Sequence, residues 1–185
     1  MYFSDEKHTK MDKMLKLGTK PMQGSNWDER GKSNVAQILI THQKTMINSI
    51  QFVYRSHKGV SHSKIYGEPD GLNFDLLTFD DSVEYLTSVA GVCGDDGLAS
   101  ISFGTNKRSF GPFGAIGTYD TFKFVLKEFT YNFEHEGSFQ GFHGSVKNSR
   151  VFAIGIYVQP IMSFSTLDMM TDDDQSIQLD AKYSF

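Results

Sequence analysis

Six histidines, one cysteine and several runs of aspartate are the side chains of this chain that could bind a metal or supply a nucleophile. The histidines stand at positions 8, 42, 57, 62, 135 and 143. Only His57 and His62 share a short loop, which is too few ligands for a zinc site. Asp80-Asp81, Asp95-Asp96 and Asp172–Asp174 are of the type that binds calcium. No Asp-x-Asp-x-Asp-Gly loop with a distal glutamate accompanies them, so they read as solvated acids. Cys93 lies in a glycine-rich stretch with no basic neighbour in sequence to lower its pKa. There is no Gly-x-Ser-x-Gly elbow, no phosphate-cradling Gly-Lys-Ser and no nucleophile with a recognisable base. The residues therefore point to a protein that is not an enzyme and uses no metal or other cofactor.

Charge and composition narrow the partners. Eighteen basic residues against 22 acidic ones give a net charge of −4, with no basic block to neutralise a run of phosphates, so nucleic acid is not an expected partner. A lone cysteine cannot close an internal disulfide, which fits a reducing compartment. The start of the chain carries Asp5, Glu6 and Asp12 and lacks the apolar stretch of a secretory signal. No segment approaches the roughly 18 apolar residues of a membrane span. A cytoplasmic or nuclear location without membrane contact is the expectation. The length of 185 residues suits one domain with tails, and 14% aromatic residues supply bulky surface for a core.

The dominant pattern along the chain is alternation. Ile38 and Ile40 share one face, Ile50, Phe52 and Tyr54 another, with a polar break at Gln43–Thr45, which predicts a hairpin. The stretch from Val53 to Asp75, rich in Gly, Ser, His and Pro, reads as a connection leading into Phe74 and Leu76. The two-residue rhythm resumes at Tyr85, Thr87 and Val89 and continues at Leu98–Phe103. Gly111–Gly117 reads as a link, and Thr121–Lys127 as a strand with Phe122, Phe124 and Leu126 on one face. Ser138–His143 and Phe152–Val158 form the last pair, the latter presenting Phe152, Ile154, Ile156 and Val158 together. No window shows the apolar recurrence of a buried helix, so the chain reads as all-β. Residues 1–15 form a polar tail, 16–162 the domain and 163–185 an acidic tail read as disordered.

Three groups of residues give these strands a family likeness: Gly24-Ser25-Asn26-Trp27-Asp28, then Thr105–Gly114 followed by Gly117-Thr118, then Gly141-Phe142-His143-Gly144 with Ala153-Ile154-Gly155-Ile156-Tyr157. In this order and spacing they resemble the jacalin-related lectins from about Lys16 to Met162, and most of all the members from mustard-type plants that include myrosinase-binding proteins. The resemblance implies a β-prism, three four-stranded antiparallel Greek-key sheets around a pseudo-threefold axis. It implies a structural role for Trp27-Asp28, an indole packed on the prism beside a turn-capping carboxylate. His143, inside a strand, reads as a packed or hydrogen-bonded histidine.

A hexose offers hydroxyls that both donate and accept over a weakly apolar face, and a protein holds it with backbone N–H groups, a carboxylate and often an aromatic wall. The resemblance places such a site at the tip of the last hairpin, in a Gly-x-x-x-Asp motif just before Ala153-Ile154-Gly155. Here Asn148 stands at the glycine, Ser149, Arg150 and Val151 follow, and Phe152 stands where the carboxylate belongs. Asn148 tolerates φ > 0, so it could keep the turn or be an ordinary turn residue. Lys20 and Pro21 replace the paired glycines of the first loop, and Val92 and Cys93 stand where some relatives carry an aromatic wall. The implied function is a lectin for mannose- or glucose-type glycans or glycoproteins, weakened by Phe152, active in plant defence and gaining avidity as a homo-oligomer. The alternative is a scaffold that has lost sugar binding and recognises a myrosinase or another defence protein.

Overall fold

A computed structural model describes residues 14–19, 22–71, 73–80, 82–115 and 126–161. The strands are β1 (Leu15–Gly18), β2 (Ser25–Asp28), β3 (Val35–His42), β4 (Ile47–Ser56), β5 (Gly59–His62), β6 (Tyr66–Gly67), β7 (Asn73–Thr78), β8 (Leu86–Gly94), β9 (Gly97–Thr105), β10 (Ser109–Gly114), β11 (Lys127–Asn132), β12 (Gly137–Lys147) and β13 (Arg150–Pro160). They make three antiparallel sheets: a first in the order β1-β13-β12-β2, a second in the order β5-β4-β3-β7 with β6 also on β4, and a third in the order β10-β9-β8-β11. Among the described residues there is no helix. The all-β prism expected from the sequence is present.

Each sheet is a long central hairpin flanked by shorter strands. The β3–β4 hairpin forms where Ile38, Ile40, Ile50 and Phe52 alternate inward, all with no exposed surface. One phenylalanine from each sheet meets near the prism axis. Phe52 of β4 stacks on Phe142 of β12 at 4.2 Å, and Phe103 of β9 meets Phe142 edge-on at 6.2 Å. Such ring contacts add roughly 0.5–1.5 kcal/mol each beyond the apolar area they bury. They hold the three sheets at fixed angles, and those angles set the grooves between them.

Four expectations change at the level of elements. The stretch from Val53 to Asp75 is not a bare connection, since β4 runs on to Ser56 and β5 and β6 follow. The outer strand of the second sheet is thereby split, with β5 beside Val53–Ser56 and β6 beside Ser49–Ile50, so this sheet counts five strands rather than four. Gly111–Gly114 belongs to β10 rather than to a link, and a register shift between Phe110 and Phe113 lets a Gly-Pro pair sit in a strand. Of the expected strand Thr121–Lys127, residues 121–125 lie outside the described residues, and the strand observed there starts at Lys127. Most of the tails, 1–13 and 162–185, also lies outside them.

The fourth change decides where the site sits. β12 and β13 pair Ser145 with Ala153 and Val146 with Val151, which leaves Phe152 without a partner. This bulge breaks the two-residue rhythm. Val151, Ile154, Ile156 and Val158 join the main core, whereas Phe152 is turned out of that row.

Candidate functional site

The bulge presents Phe152 to a groove of about 590 Å³ between the first and third sheets. Gly97, at φ +125°, brings the start of β9 against the bulge. A Cβ there would lie 2.9 Å from the Val151 carbonyl oxygen and 3.1 Å from Phe152 Cα, so only glycine allows this approach. The first sheet adds Lys147 and the strand end Gly18-Thr19, with Gln23 from the following link. From the third sheet come Cys93, Asp95, Phe129 and Tyr131.

The corner where the resemblance puts a carboxylate is filled by a ring and capped by a cation. Phe152 is 7% exposed. The Lys147 ammonium lies 5.0 Å from its centroid and donates to Gln23 Oε1 at 2.6 Å. Asp95 reaches the same groove from the exposed β8–β9 turn, on the third-sheet side. Phe129 and Tyr131, 5.2 Å apart, form an aromatic wall. Burial pushes the Cys93 thiol up to about 11, partly offset by the Thr19 hydroxyl, so the thiol is neutral and inert at ordinary pH.

The other predicted residues are placed differently. Asn148 and Ser149 have φ of +51° and +60° and are flanked by the Lys147–Arg150 pair, which defines a two-residue hairpin turn. The positive φ at Asn148 is the one the glycine-like reading required, and it fits an ordinary turn residue equally well. Asn148, Ser149 and Arg150 do not line the groove that holds Phe152. Ser149 instead faces a second groove, of about 870 Å³, between the first and second sheets, and its carbonyl accepts the Glu68 N–H at 2.7 Å. Val151 points into the core and is 1% exposed, so only its backbone could meet a ligand. Lys20 and Pro21 lie outside the described residues. Val92 and Cys93 are strand residues of β8, and the aromatic wall comes from Phe129 and Tyr131 of the neighbouring β11. No motif marked those two rings in the sequence. A two-residue alternation over 129–131 was the one signal available.

Trp27, Asp28 and His143 are structural. Trp27 stacks on Tyr66 at 4.2 Å and lies so close over Gly144 that a side chain there would collide with the indole. Asp28 Oδ1 accepts the Arg30 N–H at 2.8 Å, capping the turn after β2, while Oδ2 accepts the Tyr157 hydroxyl at 2.7 Å. His143 is 2% exposed, and its Nε2–H donates to the Leu17 carbonyl at 2.9 Å, bracing β1 where it forms the groove wall. Burial lowers the His143 pKa to about 4, so the ring is neutral. Among the described residues no group of three or more His, Cys, Asp or Glu could hold a metal.

A β-prism with a groove beside its closing hairpin defines a lectin-type binding protein, and the comparisons agree. Residues 17–157 match the jacalin-like lectin domain, and the chain belongs to that family. It is 29% identical to jacalin-related lectin 24 of Arabidopsis thaliana, over 83% of this chain and 70% of the relative. It is also 29% identical to the Arabidopsis protein RESTRICTED TEV MOVEMENT 1, over 73% of this chain and 78% of that protein. Among solved structures, a mannose-binding jacalin-related lectin from Ananas comosus superposes with a TM-score of 0.61 at 28% identity, covering 80% of this chain and 97% of that one. The family is one of lectins, which bind saccharides and do not transform them.

Proposed function

We propose that this protein binds mannose- or glucose-type glycans weakly, through the groove that holds Phe152, and acts in plant defence inside the cell. The carrying observation is the bulge that turns residue 152 into a groove between two sheets of a lectin prism. The mannose-binding relative from Ananas comosus supports the sugar class. Weakness follows from chemistry: Phe152 and its Lys147 cap provide no acceptor for a sugar hydroxyl hydrogen. Losing one charge-assisted hydrogen bond costs about 1.5–3 kcal/mol, or roughly ten- to a hundredfold in affinity. The rings of Phe129 and Tyr131 and the carboxylates of Asp95 and Glu128 at the groove's rim are the groups left to hold a sugar. Linking such sites in an oligomer or on a glycoprotein restores useful avidity. Titrating methyl mannoside against the labelled protein should shift the amides of Lys147, Phe152 and Tyr131 with millimolar affinity. Unchanged spectra at about 50 mM, well above that regime, would overturn the reading.

A second reading has its own support. The similarity to RESTRICTED TEV MOVEMENT 1, whose name speaks of movement rather than of a sugar, and the plugged carboxylate corner favour a scaffold for a myrosinase or another defence protein. Silence towards sugars, together with capture of a defined defence protein, would favour this reading.

A further inference from the structure

We infer that the acidic C-terminal segment of this chain, residues 168–180, docks on the basic edge of its own second sheet, along β5. The charges are segregated in the sequence. From Arg30 to Gly67 there is no Asp or Glu, while six basic residues fall there: Arg30, Lys32, Lys44, Arg55, Lys58 and Lys64. Residues 162–185, outside the described residues, carry Asp168, Asp172, Asp173, Asp174 and Asp180 against Lys182 alone, so the net charge of −4 resides in them and the rest of the chain balances.

Folding turns part of the basic stretch into one edge. β5 pairs Gly59–His62 with Val53–Ser56 of β4, and all four of its residues are exposed. Lys58 stands in the turn before β5 and Lys64 in the link after it, both exposed. Arg30 and Lys32 are already bound, to Asp28 at 3.5 Å and Glu29 at 2.5 Å, and Lys44 lies in the β3–β4 turn at the far end of that hairpin. Lys58 and Lys64 have no ion-pair partner among the described residues. His62 and Lys64 also line the groove of about 870 Å³ between the first and second sheets. Val60, 55% exposed, and Ile65, 48% exposed, stand beside these cations and add apolar surface. The acidic segment contains the matching types, in Leu167-Asp168-Met169-Met170 and Ile177-Gln178-Leu179-Asp180.

The occupant follows from where the chain leaves the fold. Ile161, just past β13, donates its N–H to the Glu136 carbonyl at 3.0 Å. Four residues earlier the Tyr157 hydroxyl accepts from Arg30 Nη2 at 3.0 Å, and the next residue, Gly31, donates its N–H to the Gln140 carbonyl at 2.7 Å. The Asn34 carbonyl then accepts the Arg55 N–H at 3.0 Å. This link leads from the exit to the turn that opens β5. At about 3.3 Å per strand residue and 3.6 Å per link residue, the route is no longer than roughly 40 Å. Asp174, thirteen residues beyond Ile161, reaches about 43–47 Å when extended. Exposed Glu134 and Glu136 repel the same aspartates from the exit itself. A tether of this length holds the acids near the edge at about millimolar effective concentration, so ion pairs too weak to retain a separate peptide retain this one.

A nitroxide attached through Ser176→Cys on the full 185-residue chain reads the contact, since the Cys93 thiol is inert at ordinary pH. The chain without that substitution, treated alike, gives the baseline. At about 20 mM salt, where screening acts only beyond about 20 Å, the amides of Lys58, Ser61 and Lys64 should broaden about threefold more than those of Ser102 and Gly104 on the third sheet. At about 0.5 M salt the difference should fall by at least about half. Asp172→Asn, Asp173→Asn and Asp174→Asn together should abolish it, and so should Lys58→Glu with Lys64→Glu, with an unchanged far-ultraviolet spectrum. Broadening indifferent to these charges, centred on the third sheet, or passed from labelled to unlabelled molecules in a mixed sample would each overturn the inference. So would an edge that ignores the tail yet shifts on adding hexa-aspartate, which would assign it to a separate acidic partner.

Discussion

On one side of the β12–β13 hairpin a groove is walled by Phe152 and Lys147; on the other, a groove is walled by Trp27, Tyr66 and Glu29. The second contains what the first lacks, a buried carboxylate. The Tyr66 hydroxyl donates to Glu29 Oε1, and the Lys32 ammonium stands 2.5 Å from Oε2. Those oxygens serve the fold and are not available to a ligand. The first groove has the opposite character: aromatic surface and an ammonium with a single hydrogen-bond partner, but no acceptor in its deepest corner. A sugar site needs an acceptor that the protein has not already used, so the presence of an acid near a groove says little until its partners are known.

The largest way to break this comparison is Glu29→Ala. It should cost about 3–4 kcal/mol in urea unfolding, because the buried Tyr66 hydroxyl and the Lys32 charge lose their partner together. If stability is unchanged, Glu29 is not structural and the second groove becomes the better ligand site. Next comes acid. His143 titrates near 4 when folded and near 6.5 when unfolded, so the unfolded chain takes up the proton first as pH falls. The stability held by the neutral ring is complete above pH 6.5 and is lost between 6.5 and 4, by roughly 3 kcal/mol. Urea midpoints across that range should fall, and His143→Gln should remove that part of the slope. A slope that survives the substitution would assign it to other groups.

Smaller and more pointed is Phe152→Asp. Restoring an acceptor on the bulge should strengthen mannoside binding about ten- to a hundredfold, equivalent to roughly 1.5–3 kcal/mol, measured by calorimetry on the folded variant. No gain would mean that the groove geometry, rather than the missing carboxylate, limits binding. Smallest is Tyr66→Phe, which keeps the ring over Trp27 and deletes one hydrogen bond to Glu29, for about 1 kcal/mol of stability and no change in sugar response.

Much of this molecule was legible in the order of its residues. Alternation at Ile38, Ile40, Ile50 and Phe52 specified a hairpin, because inward apolar and outward polar positions repeat every two residues whatever the fold around them. Gly-Phe-His-Gly was readable as a family spelling, although each residue answers a partner far away in the chain: Gly141, at positive φ, makes room for the Glu29 carbonyl, Phe142 fills the axis, His143 binds Leu17 and Gly144 makes room for Trp27. The same rule misplaced Phe152. A period of two assumes an unbroken ladder, and nothing in Arg150-Val151-Phe152-Ala153 announces a residue left unpaired.

What the sequence determined by itself was the all-β class, the long central hairpins, the family and the identity of residue 152, since each follows from local pattern and side-chain type, whereas the short flanking strands β5, β6 and β10 did not. Tertiary structure decided which groups share a groove. Phe129 and Tyr131 meet Phe152 because β11 joins the third sheet and Gly97 brings that sheet against the bulge. It also separated the spent carboxylate of Glu29 from the open groove of Phe152, because whether an oxygen is free depends on partners far away in the chain, and no spacing along the sequence records them.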